Sequence, residues 1–144
     1  MKLISDAFKD DAYIPVRYSK RGGNISPPLE FVDVIPSAKS LALICHDPDS
    51  TSDFTHWIIW NIDPNIKKIE EGGLPIGIER GVNSWGIHEW GGPQPPSGTH
   101  RYIFELYALD AILNLSPDSD RKDLEYAING HIIESATLTG LFNA

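Results

Sequence analysis

The chain has 144 residues, with 12 lysines and arginines against 20 aspartates and glutamates, and so a formal net charge of −8 with its five histidines neutral. Hydrophobic residues at 41% and charged residues at 22% are ordinary globular proportions and exclude disorder for most of the chain. The acidic excess argues against a protein that coats nucleic acid or holds an anionic membrane, since both partners are bound largely through Lys and Arg.

One domain spanning residues 1–144 is expected, because a chain of this length buries roughly two-thirds of the surface it exposes when unfolded and can hold a preformed pocket. Met1 to Asp6 turns acidic before a signal-type apolar region forms. No window reaches the roughly 18 apolar residues of a membrane span. A cytoplasmic protein without stable membrane association is the expectation.

The first forty residues, with Gly22-Gly23, Pro27-Pro28 and Pro36, read as loop and short edge strand. Ser40 to His46 is a continuous apolar run of strand length, which predicts burial on both faces. Its lone Cys45 reads as a small buried hydrophobe. The run stops at Asp47-Pro48-Asp49-Ser50, a turn in which Pro presets φ and the Asp side chains can accept from nearby backbone N–H groups. A second strand, His56 to Ile62, ends at Asp63-Pro64. Trp57 and Trp60 fall on opposite faces of it, so one of them is expected in the core.

Gly91-Gly92-Pro93-Gln94-Pro95-Pro96-Ser97-Gly98 can only be a loop, with Trp85 and Trp90 before it as candidate pocket walls. The strand that follows, His100 to Leu109, is the clearest, because aromatic and β-branched residues dominate it. A helix is predicted near the C-terminus. Asp118, Ser119 or Asp120 would cap it, Leu124 and Ile128 would share one face, and Gly130 would stop it. Ile132 to Leu141 reads as a last strand.

Two inferences about chemistry follow from strand geometry. Residues two apart share a face, so His100 and Tyr102 point the same way beside a loop offering backbone N–H groups; the competing reading is a core histidine that caps its strand. If the first two strands form a hairpin, Asp47 lies near His56, where a carboxylate would fix the tautomer and favour the charged ring. Both imidazoles are then candidate charge sources for a pocket in an acidic protein. For Asp47 and Asp49 plain turn chemistry competes with a site role. Asp47, Asp49, His56 and His100 do not stand at metal-ligand spacing, and His88-Glu89 lacks the second histidine of a zincin helix. No nucleophile elbow or P-loop occurs. No metal or cofactor is expected.

Taken together, Asn24-x-Ser26-Pro27-Pro28-Leu29, Ser40-Leu41-Ala42-Leu43, Asp47-Pro48-Asp49, His56-Trp57, Gly92-Pro93-x-Pro95-Pro96 and His100-Arg101-Tyr102 resemble the phosphatidylethanolamine-binding protein family, in its prokaryotic branch. The likeness runs through Ala127-Ile128-Asn129-Gly130-His131-Ile132. Each motif alone is weak, but six in order are specific. The resemblance implies a mainly β fold, a large antiparallel sheet packed on a smaller one with a short helix near the C-terminus. It also implies a small pocket for phosphate, phosphoryl headgroups or acetate-like anions. By position the pocket residues fall on Asp47, Asp49, His56, the backbone of Gly92, Pro93 and Gln94, and the pair His100 and Tyr102. Ser50-Thr51 replaces the family's usual Ala-Pro, Gln94 stands where prokaryotic members often have Cys, and Trp90 where they often have Tyr. His46 is also unusual and would add a third imidazole near the mouth.

The reading that follows is a non-enzymatic binding module for a small anion, a phosphorylated ligand or a phosphorylated segment of a partner. An inhibitor of a protein kinase or a serine protease is the alternative, as the resemblance implies. A phosphoester or ester hydrolase using His56 and Asp47 ranks lower, because no positioned nucleophile is evident. The prokaryotic resemblance also implies a homodimer.

Overall fold

A computed structural model describes residues 1–144. In chain order the strands are β1 (Lys2–Ile4), β2 (Ala12–Tyr13), β3 (Leu29–Val32), β4 (Ser40–Asp47), β5 (Phe54–Ile62), β6 (Lys68–Ile69), β7 (Glu79–Arg80), β8 (Thr99–Leu109) and β9 (Ile132–Asn143), with one α-helix, α1 (Arg121–Ile128), before the last. Six strands make the large sheet in the order β2-β9-β8-β4-β5-β7, and β1-β3-β6 make a small one. Every pairing is antiparallel except β2 with β9. The expected mainly β architecture, two sheets and a single late helix, is the one found. No helix is long and apolar enough to cross a membrane.

All eight residues of β4 are buried, because β4 lies mid-sheet and both of its faces are covered. On one face Leu41, Leu43, Trp57, Phe104 and Leu106 meet Leu3, Leu29 and Phe31 of the small sheet. On the other, Ala42, Ile44, Ile58 and Trp60 meet Leu124 and Ile128 of α1. Each large side chain removed from water in these layers contributes about 1.5–3 kcal/mol. Trp57 and Trp60 do alternate, but both are core, one in each layer.

Helix α1 begins where Asp120 accepts from the Asp123 N–H and Asp123 accepts in return from the Asp120 N–H, a reciprocal cap. It ends at Ile128, and two residues on, the chain turns away at Gly130, whose φ of 83° suits glycine. Strand β5 starts at Phe54, two residues before His56, and β9 runs two residues past Leu141. The two-residue strands β6 and β7 carry no readable periodicity and exist only as partners to β3 and β5.

His46 is not near the mouth of any pocket formed by Asp47 and its neighbours. It alternates with Cys45 and Asp47 and so points to the α1 face. There its Nδ1 lies 2.6 Å from Asp53 Oδ1 and its Nε2 2.5 Å from Glu105 Oε1. Arg121 of α1 pairs with the other oxygen of Asp53 at 3.2 Å, and the Tyr107 hydroxyl donates to Glu105. Both ring nitrogens face acceptors, so the ring holds both protons. Burial opposes that charge, yet the bonds to Glu105 and Asp53 prevail and raise the His46 pKa.

Candidate functional site

A one-residue irregularity decides where His56 points. Cys45 pairs with Trp57 but His46 pairs with Thr55 and Asp47 with Phe54, so His56 is an extra residue, a β-bulge in β5. In an unbroken strand His56 would share the α1 face with Ile58 and Trp60. The bulge re-aims it to the opposite face. There its ring meets those of Tyr102, Trp85 and Phe54 edge-on, with centroids 5.0, 5.1 and 5.2 Å away.

The His56 Nδ1 lies 2.6 Å from the Gly91 carbonyl oxygen. A carbonyl only accepts, so Nδ1 carries the proton and Nε2, which has no partner within the chain, is a lone pair in the neutral ring. Burial pushes the His56 pKa down to about 4, only partly offset by the Gly91 carbonyl, the Asp47 charge and the Gly92 backbone. Asp47 does favour the charged His56 ring, as expected, but burial outweighs it, and the expectation that Asp47 orients His56 is corrected. The hairpin is real, but the Asp47 carboxylate serves a different ring.

That ring is His100. Its Nδ1 is 2.6 Å from Asp47 Oδ2, with both side chains largely buried. The other oxygen, Oδ1, accepts from the N–H groups of Asp49 at 2.8 Å and Ser50 at 3.2 Å. Asp47 therefore has two tasks, one per oxygen: it makes the turn and it holds a histidine. Asp49 does neither. It is gripped by Arg101 through Nε at 3.0 Å, through the terminal nitrogen at 2.9 Å and through the backbone N–H at 2.8 Å. That guanidinium holds the Asp49 carboxyl down at about 2. Asp49 thus anchors the turn to β8 at the rim.

Tyr102, two residues on from His100, shares its face, as the period of the strand requires. Its hydroxyl is buried without a hydrogen-bond partner. Burial, with the Asp47 charge added, raises its pKa, so it remains an O–H. The Gln94 N–H approaches that oxygen without completing a bond. The rest of the loop is already engaged. The Gly91 N–H donates to the His56 carbonyl at 3.1 Å, the Gly92 N–H donates to Asn24 Oδ1 at 2.7 Å, and Pro93 has none. Of the amides expected to receive an anion, the Gln94 N–H alone is uncommitted, while the Gln94 side chain is exposed.

The two tryptophans separate. Trp85, 36% exposed, covers His56, and the Lys20 ammonium sits 4.1 Å above its ring. Trp90 lies apart from His56 and borders a different groove, with Asn24, Trp57 and Gly72. It stacks on Phe104 with centroids 5.8 Å apart, packs edge-on against Trp57 and donates from Nε1 to the Tyr18 carbonyl at 3.0 Å, all within the core.

Three contributors were not apparent from the sequence as such. Asn83 ties the loop carrying Trp85 together, accepting from Trp85 and Ile87 and donating to Glu89 and to the His56 carbonyl. Asn24 consumes the Gly92 amide. Lys20 brings the nearest cation without an ion-pair partner. No spacing rule connects any of them to His56.

Gly91 has a specific task, since a Cβ there would lie 2.2 Å from the Trp85 ring. Gly91→Ala is expected to expel Trp85 from His56, and its indole should become markedly more accessible to acrylamide quenching while the far-ultraviolet circular dichroism stays unchanged. Unaltered quenching would mean that the loop absorbs the methyl group.

The largest groove, about 660 Å³, lies elsewhere, lined by Val34, Ile35, Asn61, Pro64 and Ile112 among others, and includes none of these residues. The candidate site is thus a polar constellation apart from this groove.

A sequence model of the family described as phosphatidylethanolamine-binding protein matches residues 4–143. A UPF0098 protein from Methanothermobacter thermautotrophicus is 48% identical over 99% of this chain and 98% of its own. Among solved structures, a phosphatidylethanolamine-binding protein homologue from Chlamydia trachomatis superposes with a TM-score of 0.94 at 39% identity, covering 99% of this chain and 97% of the other. Escherichia coli YbcL, described as a member of the mammalian family, gives 0.93 at 27% identity, covering 99% and 98%.

Proposed function

The chain belongs to the phosphatidylethanolamine-binding protein family, and we propose that it acts as a non-enzymatic binding module whose pocket, between His56, His100, Tyr102 and the Gln94 amide, holds a small oxyanion. The observation that carries this reading is the Tyr102 hydroxyl, buried without a partner beside two histidines. A buried polar group left unpaired costs about 1–3 kcal/mol, and a ligand oxygen would recover it.

Binding without turnover is favoured because each imidazole spends Nδ1 on an acceptor within the chain, and no serine, threonine or cysteine bonds to either ring. The ligand is a soluble phosphoryl compound or a phosphorylated segment of a partner protein. A net charge of −8 opposes anionic bilayers.

Inorganic phosphate is expected to bind one site per chain with affinity between micromolar and millimolar, the range open to a small ligand with few hydrogen bonds. Calorimetry should show His100→Ala and Tyr102→Phe each weakening it by about tenfold or more. Affinity unchanged in both variants would place the pocket elsewhere.

A further inference from the structure

The donors and acceptors around His56 restrict the ligand beyond its being an anion. The Gly91 carbonyl fixes the proton on Nδ1, so Nε2 presents a lone pair. Asp47 has one oxygen on His100 and the other on the Asp49 and Ser50 amides. What remains for a ligand is the Tyr102 hydroxyl, the Gln94 N–H, the His100 Nε2 edge and the His56 lone pair. The nearby cations are held outside: Lys20 over Trp85, Arg101 on Asp49, and Arg21 over the Phe142 ring at 4.9 Å.

A fully ionised tetrahedral oxyanion carries only acceptors, so one of its oxygens would face the His56 lone pair. An oxyacid that keeps one O–H reverses that contact and makes it a hydrogen bond. We infer that the site selects an oxyacid that brings its own proton, a phosphate monoester bound as the monoanion with its P–O–H donating to His56 Nε2. This rests on the reading of the site as an oxyanion pocket.

The alternative, protonation of His56 itself, runs against its surroundings. Burial holds the ring neutral down to about pH 4. The titratable groups that face it are Asp47 from β4, His100 and Tyr102 from β8, and Lys20 from the N-terminal segment, with Cys45 sealed in the layer beneath. Asp47 favours the charged ring and Lys20 opposes it.

Three probes matched in charge separate the cases, each titrated calorimetrically onto the full chain at about pH 5. Methyl phosphate, with its second ionisation near 6, is then a monoanion with one O–H. Methyl sulfate and dimethyl phosphate are monoanions with none, and the latter reproduces the diester linkage of a phospholipid headgroup. Methyl phosphate is expected to bind at least about tenfold more tightly than either. Its affinity is expected to fall by about tenfold or more towards pH 8, where it has lost its proton.

His56→Asn keeps an amide able to donate to the Gly91 carbonyl but places nothing at Nε2, and the preference should vanish in it. Near-ultraviolet circular dichroism verifies its fold, and if it is unfolded the wild-type comparison decides alone. Equal affinity of the wild type for all three probes would overturn the inference and leave the anion pocket standing. Binding of none would overturn both.

Discussion

Replacing His46 with alanine is expected to be the most destabilising single change outside the two apolar layers, costing about 3 kcal/mol. The variant leaves Glu105 and Asp53 facing each other across an empty space beneath α1, with Arg121 alone to compensate. The value lies at the low end for breaking a buried ionic group because Asp53 is 47% exposed and its share is screened. The pH dependence has two signed limbs. The His46 pKa is raised, so its contribution is complete below its unfolded value near 6.5 and fades as pH climbs through the folded value. Glu105 and Asp53 are lowered, so theirs is complete above roughly pH 4–4.5 and fades as pH falls through their folded values. Thermal melts of the wild type should peak between these limits, at about pH 5–6. Both limbs should flatten in His46→Ala, and a variant melting within a degree of wild type at pH 6 would show that the cluster contributes nothing.

Asp47→Asn is expected to lower phosphate affinity by about tenfold or more while changing stability by less than about 1 kcal/mol. An asparagine keeps an oxygen for the Asp49 and Ser50 amides, so the turn survives. Towards His100 it then presents an amide N–H in place of a charged acceptor. That N–H would drive the ring proton from Nδ1 to Nε2, and the ring would lose the charged partner that secures its orientation. Calorimetry beside thermal melting separates the outcomes. Lost binding at near-unchanged melting temperature supports a ring-holding role, and a large drop in melting temperature with binding intact would leave Asp47 as turn chemistry only. Asp47→Ala, which removes the turn bonds as well, should cost about 1–2 kcal/mol more in stability.

Much of the scaffold was legible from the residues alone. Ser40 to His46, short, apolar and stopped by Asp47-Pro48-Asp49, read as a strand covered on both sides. The period of two placed His100 beside Tyr102, and a cap among Asp118, Ser119 and Asp120, the shared face of Leu124 and Ile128, and the stop at Gly130 marked a helix. These are local properties, set by backbone sterics and by which side chains avoid water. Six motifs in order supplied the candidate site as well, by resemblance rather than by physics.

The tertiary structure decided which polar groups meet. Strand β4 has two neighbours, β5 through the hairpin and β8 from 53 residues away in sequence, and the Asp47 carboxylate took its partner from β8. The bulge reversed the parity of His56, which a period of two cannot foresee, because one inserted residue exchanges the faces. The Gly92 amide went to Asn24, 68 residues away, and His46 was neutralised on the side opposite the pocket. Apolar burial is additive along the chain and can be read residue by residue. A hydrogen bond needs a donor and an acceptor within about 3 Å, and that proximity exists only after distant strands have packed.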